Sequence, residues 1–254
     1  MTTALKPYIG TFAGRPASPV EGQRAYYTDG GYSSIYSGGQ WYKEYRGFLC
    51  KEPVAADYPT HTNFTGGATL TDSNGTLVFE RTGTAGLEIT MAGKAIPNGA
   101  ACSVRASVDC VNLEGSGGGL NVLPGIYMKH TASGVIANFY KYGIIVNGNA
   151  GSPPTFDSDW IVSQWSNPTT RTGVNGVIYQ DASPDITAQM RISGGTVYFE
   201  LGKLNRDFRS FTAVAAAVAT YFPAGNPDEY GICMVTVGGG AGQCVGYFPL
   251  VETT

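Results

Sequence analysis

The chain has 254 residues, of which 14% are charged; its formal net charge is -3, and 36 residues are glycine. Low charge beside 16 Tyr and 11 Phe excludes a disordered chain, the composition is wrong for a coiled coil, and glycine has no three-residue period, which excludes collagen. The first 58 residues hold 6 basic and 5 acidic groups against 10 and 14 in the remainder, so no basic stripe exists for nucleic acid, and no window of apolar residues is long enough for a membrane span.

In chain order, Met1 to Gly10 lacks the apolar core of a signal peptide, and the expectation is synthesis and release in a cytoplasm. Residues 1–46 read as a small β-hairpin module. Strands are expected at Gly22–Thr28, Tyr32–Tyr36 and Gln40–Tyr45, with Asp29-Gly30-Gly31 and Ser37-Gly38-Gly39 as turns that supply positive φ. Three short strands bury little surface alone, so this module wants a partner surface. Tyr26, Tyr36 and Trp41 are its candidate docking or oligomer contacts. Residues 47–62, with Pro53 and Pro59 and no clear apolar period, read as a linker.

Residues 63–254 read as strand after strand. Gly75–Arg81, Gly86–Met91 and Ala101–Cys110 alternate, the last with Arg105, Ser107 and Asp109 outward. Ile126–His130, Val135–Tyr142, Ile144–Asn147, Trp160–Trp165 and Val177–Gln180 follow. Gly194-Gly195 joins Ala188–Ser193 to Thr196–Leu201 as the clearest two-residue hairpin. Ala213–Tyr221 fits one short helix or a strand and a loop. Tyr230–Val237 and Cys244–Val251 form a closing hairpin, with Val237 facing Cys244 and Cys233 opposite Phe248. Many short strands with almost no helix mean an all-β sandwich or barrel.

Five cysteines without a C-x-x-C argue against a disulfide framework and a zinc site. Cys102 and Cys110, eight steps apart on one strand, stand ~26 Å apart, too far to bridge. G-x-S-x-G and H-E-x-x-H are missing, and Gly115–Gly119 lacks the ending of a phosphate loop. His61 and His130 have no acid or Cys partner nearby in sequence. We therefore expect no catalytic residue, no metal and no cofactor. Asp157-x-Asp159 has the spacing of a glycosidase carboxylate pair but follows Pro153-Pro154, where a loop is expected. Asn63-Phe64-Thr65 and Asn74-Gly75-Thr76 match the glycosylation pattern by accident.

Aromatic residues are the remaining binding signal. The long segment from Asn147 to Gly176 carries Asn149, Trp160, Trp165 and Arg171, and sugar-binding surfaces use Trp as flat platforms beside polar groups. These four are the candidate ligand-binding residues. The alternative is that both tryptophans belong to the core of a strand.

Two stretches resemble known families. Gly10-Thr11 to Arg15-Pro16, then Gly22-Gln23-Arg24-Ala25-Tyr26-Tyr27-Thr28-Asp29, then Tyr36-Ser37-Gly38-Gly39-Gln40-Trp41, resembles the β-hairpin module of tail fibres and other structural proteins of tailed bacteriophages. Met190-Arg191-Ile192, Gly194-Gly195, Val197-Tyr198-Phe199 and Tyr230-Gly231-Ile232 are similar to the carboxy-terminal half of concanavalin A-like (laminin G-like) jelly rolls. The fold expected is thus a small β module followed by a jelly-roll β-sandwich of concanavalin A-like type. The resemblance implies a non-enzymatic virion protein of the tail fibre or tail-tip kind. Its implied partners are other virion proteins, further copies in a trimer, and a host surface glycan; nucleic acid and membrane insertion are not implied. The alternatives are a capsid-decoration or head-fibre protein with only protein partners, and a polysaccharide depolymerase using Asp157 and Asp159.

Overall fold

The computed structural model describes residues 7–28, 32–45, 48–64, 67–83, 86–113, 121–146, 155–180, 186–203, 209–237 and 242–254. In chain order the first strands are β1 (Tyr8–Gly10), β2 (Arg24–Tyr27), β3 (Tyr32–Ser37), β4 (Gln40–Tyr45), β5 (Phe48–Lys51) and β6 (Thr60–Thr62). There follow β7 (Thr69–Ser73), β8 (Thr76–Gly83), β9 (Glu88–Ala95), β10 (Cys102–Leu113), β11 (Asn121–His130), β12 (Val135–Val146) and β13 (Thr155–Asn167). The remainder is β14 (Thr170–Gln180), β15 (Ile186–Ser193), β16 (Thr196–Lys203), β17 (Arg209–Ala217), a single helical turn α1 (Val218–Tyr221), β18 (Glu229–Val237) and β19 (Gly242–Thr253).

Strands β1 to β5 form a small sheet, the head. The others form two seven-stranded sheets: a first, ordered β17-β16-β15-β10-β19-β8-β7, and a second, ordered β14-β13-β12-β11-β18-β9-β6. The two large sheets make the all-β sandwich expected from the sequence. Alternation supplies its core. Ile126 and Met128 of β11, Phe139 of β12, Trp160 of β13 and Ile232 of β18 meet Phe79 of β8, Val104 of β10, Met190 of β15 and Phe199 of β16. Each such side chain contributes ~1.5–3 kcal/mol by leaving water. An aromatic chain crosses this layer, with ring centroids 5.1 Å apart for Phe139–Trp160, 5.8 Å for Phe139–Phe199 and 5.0 Å for Phe199–Tyr221.

The hairpin at Gly194-Gly195 stands as expected, with Ser193 opposite Thr196 and both glycines at positive φ. The Ala-rich segment resolves into the end of β17 and the turn α1. Val135–Tyr142 and Ile144 onward are one strand, β12. Asp157 and Asp159 lie within β13, paired with Ile144 and Tyr142, and not in a loop. Asn74-Gly75 is a two-residue hairpin turn between β7 and β8, Asn74 at φ +50 and Gly75 at φ +67.

Two expectations about strand pairing are corrected. The closing hairpin does not form: β18 pairs with β11 and β9 in the second sheet, while β19 pairs with β10 and β8 in the first. A two-residue period describes a strand but not its partner, and here successive strands enter opposite sheets. The stretch 47–62 is no bare linker: β5 completes the head, a 3-10 turn spans Ala55–Asp57, and β6 edges the second large sheet. Ser107 keeps the outward parity expected of it, opposite to Val104, Ala106 and Val108, but is buried there, its hydroxyl 2.9 Å from that of Thr187.

Candidate functional site

Two surfaces qualify by position: the second large sheet's face turned away from the first, and the free face of the head. On the former, residues of opposite parity to the core form a second apolar cluster. It holds Ile89 and Met91, Leu123 and Tyr127, Ile136 and Tyr140, Trp165, Cys233 and Val235. Glycines make room for the rings. A Cβ at Gly93 would sit 2.0 Å from the Tyr127 hydroxyl, and one at Gly125 within 2.5 Å of Tyr140. Strand β13 carries repeated bulges against β14. The carbonyl of Pro168, at the tip of that hairpin, accepts the Ile89 N–H of β9 at 2.8 Å, although β12, β11 and β18 separate the two in the sheet. The sheet thus curls until its hairpin end reaches its far strands, and the cluster is sealed.

Polar groups line this cluster in satisfied pairs. The Tyr127 hydroxyl donates to Glu229 Oε1 at 2.6 Å, and Lys129 Nζ stands 3.8 Å from the same oxygen and donates to Thr62 Oγ1 at 3.3 Å. Burial, then the Glu229 carboxylate, pushes the Tyr127 phenol well above its ordinary range. Burial likewise raises the Cys233 thiol, against a weak hydrogen bond from Asn138. Trp165 Nε1 donates to Asn138 Oδ1 at 3.1 Å and to Ser163 Oγ at 2.9 Å. Burial raises the Tyr140 phenol, and Arg171 opposes this through its charge and a hydrogen bond.

The four ligand-binding candidates therefore fare differently. Trp160 is in the sandwich core and Trp165 in the second cluster, both fully buried, so neither is an exposed platform. This is a correction, and its cause is the length of β13: both residues lie within a strand covered on both faces. Arg171 lies opposite Trp165 on β14, half-buried and engaged with Tyr140. Asn149 lies outside the described residues.

The head differs. Its inner face carries Ala25, Tyr27 and Trp41, with Tyr8, Phe12 and Tyr36 packed against them. Arg15 sits 4.3 Å over the Phe12 ring, pairs with Glu52 at 2.5 Å, and Ser34 donates to the other Glu52 oxygen at 2.5 Å. Trp41 is thus a core residue with Tyr36 edge-on against it at 5.4 Å, which corrects the expectation of a docking role for Trp41. Tyr26 instead points outward. It lines a groove of about 430 Å³ with Ile9, Arg24, Ser33, Ile35 and Glu44. Ile9 is 69% exposed and Tyr26 45%. The groove therefore combines two exposed apolar side chains with the polar groups of Arg24, Ser33 and Glu44.

Sequence reasoning missed Glu229, Tyr127 and Lys43. For Lys43 a signal existed: Trp41, Lys43 and Tyr45 alternate along β4, which sets a lysine on the apolar face. Among the described residues, no cluster of three or more His, Cys, Asp or Glu is placed to hold a metal.

No family model and no curated protein matches the chain. Solved structures are similar to it in strand path. A functionally unknown protein from Saccharomyces cerevisiae is 13% identical over 80% of this chain and 98% of its own, with a TM-score of 0.47. A legume lectin-like domain from Entamoeba histolytica is 5% identical over 74% of this chain and 87% of its own, with a TM-score of 0.45. An alginate lyase from Klebsiella pneumoniae is 10% identical over 73% and 83%, with a TM-score of 0.33. None of these carries a residue role, a ligand or a reaction over to this chain.

Proposed function

We propose that the chain is a non-enzymatic attachment protein of a tailed-phage virion. In this reading the head docks on another virion protein, and the jelly roll projects to recognise a host surface glycan, as in a tail fibre or tail tip. The observation that carries it is the groove at Ile9 and Tyr26, an apolar surface left open on a head whose own core is complete. The phage-like motifs between Gly10 and Trp41 supply the kind of particle.

Particle reconstruction or immunogold labelling tests the assignment. Label at the tail, with binding of the purified chain to host polysaccharide and no release of reducing ends, is the expected result. A second reading, capsid decoration with only protein partners, is favoured by the sealing of the second sheet's outer face with the chain's own aromatic residues. Label on the capsid faces would select it. Release of reducing ends, lost in Asp157→Asn with Asp159→Asn, would overturn both.

A further inference from the structure

A third surface stands out by its chemistry. It is the outer face of the first large sheet, made by residues of opposite parity to the core. Two adjacent cross-strand rows run over it. In one, Glu252 of β19 stands opposite Arg105 of β10, Arg105 opposite Gln189 of β15, and Gln189 opposite Glu200 of β16. In the other, Ser103 of β10 stands opposite Arg191 of β15, and Arg191 opposite Tyr198 of β16, with Ala215 of β17 beyond. From β19 to β17 this strip crosses four strand spacings, ~19 Å. Strand β5 lies against β19, so the head bounds the strip at one end.

The groups on the strip are held in place. Glu200 is only 5% exposed. Arg191 donates to it twice, from Nη2 to Oε1 at 3.0 Å and from Nε to Oε2 at 3.3 Å, and Gln189 Nε2 donates to Oε2 at 3.2 Å. The Arg191 guanidinium also lies 4.1 Å over the Tyr198 ring. Toward the head, Ser103 and Thr254 share a hydroxyl hydrogen bond at 2.7 Å, and Arg105 pairs with Glu252. Solvated surface charges gain little from such ordering, whereas a ligand gains from meeting groups already fixed. The network also leaves capacity over. Arg191 Nη1 and Gln189 Oε1 have no partner among the described residues, which sets a donor and an acceptor on one face of β15. A sugar hydroxyl both donates and accepts, so a pair of them answers such a pair of groups. The Tyr198 ring carries Arg191 on one side, and its neighbour on the other is the exposed Ala215, whose small side chain leaves room for the C–H face of a sugar. The charges of the strip cancel, Arg105 and Arg191 against Glu252 and Glu200.

We propose that this strip binds an uncharged, hydroxyl-rich polysaccharide laid across the strands, with one sugar ring against Tyr198 and its hydroxyls on Arg191 and Gln189. The inference rests on the glycan-binding part of the attachment reading, to which it gives a site and a ligand class, and it is independent of where the head docks.

The intact chain, fluorescently labelled, is applied to an array of bacterial capsular and O-antigen polysaccharides, uncharged and acidic, and titrated against those it binds. Binding to uncharged chains, undiminished at high salt, is the expected result. Tyr198→Ala and Ala215→Ile should each weaken it about tenfold or more, the first by removing the ring and the second by filling the space beside it. Ala215 is exposed and a branched residue suits a strand, so Ala215→Ile decides even where Tyr198→Ala does not fold. A chain that binds nothing on the array overturns the glycan reading and this proposal with it. Binding that Ala215→Ile leaves unchanged overturns the site alone, and the glycan reading survives. A preference for acidic polysaccharides overturns the ligand class.

Discussion

Head and sandwich are made of the same short alternating strands but are stabilised differently. In the sandwich two seven-stranded sheets close on one continuous apolar layer, and a second cluster fills the far side of the second sheet. In the head five short strands cover a small aromatic core, and the rest of the inner face is Ser34, Lys43, Cys50 and Glu52. Apolar burial therefore dominates the one, and specific charged contacts dominate the other. The difference teaches where apolar surface is left open: the second sheet's outer face is filled by the chain's own side chains, whereas the head leaves a groove beside Ile9 and Tyr26.

The comparison breaks first at the aromatic chain. Phe139→Ala should cost ~3–5 kcal/mol in chemical denaturation of the sandwich, since Trp160 and Phe199 both lose a ring contact. Trp41→Ala should leave that sandwich transition in place and loosen the head alone. A single transition lowered equally by both changes would mean that the two parts form one cooperative unit.

Next comes the sealed face. Glu229→Ala leaves the Tyr127 hydroxyl without its buried acceptor and Lys129 without its counter-ion and should cost ~3 kcal/mol, while Glu229→Gln, which keeps an acceptor oxygen, should recover part of that. Thermal unfolding of the two variants side by side gives the answer.

A finer test uses the two tryptophans. Among the described residues Trp160 Nε1 has no hydrogen-bond partner, whereas Trp165 Nε1 has two. Trp165→Phe should therefore be worse than Trp160→Phe by ~1–2 kcal/mol in urea unfolding. Equal losses would show that ring volume alone matters at both positions.

The smallest expected effect on stability is also the most informative for function. Tyr26→Ser, at an exposed site, should move stability within ~0.5 kcal/mol, and on the proposed attachment reading it should also remove the chain from assembled particles. Normal incorporation, measured by quantitative mass spectrometry of purified particles, would count against docking through the groove at Tyr26.

Much of the fold is legible in the residues. Gly194-Gly195 sets a hairpin because a two-residue turn at positive φ joins two alternating runs. Asn74-Gly75 carries the same information for β7 and β8, although its match to a glycosylation pattern draws attention elsewhere. The candidate site was read less well. A tryptophan on a sugar-binding surface and a tryptophan in a core share one sequence pattern. Trp160 and Trp165 differ in parity along β13, so they enter two different clusters, and both clusters are closed.

Local chemistry, then, settles the all-β class, most of the strands and their turns, because alternation and positive φ are properties of neighbouring residues. Pairing across the sandwich is another matter. That β18 and β19 enter opposite sheets, that β5 and β6 give residues 47–62 to two different sheets, and that Pro168 reaches across to Ile89 depend on partners far away in the chain. The buried Lys43 belongs with these. Alternation sets it on the apolar face of β4, but only the docking of the head on the turn at Gly75 takes its charge out of water.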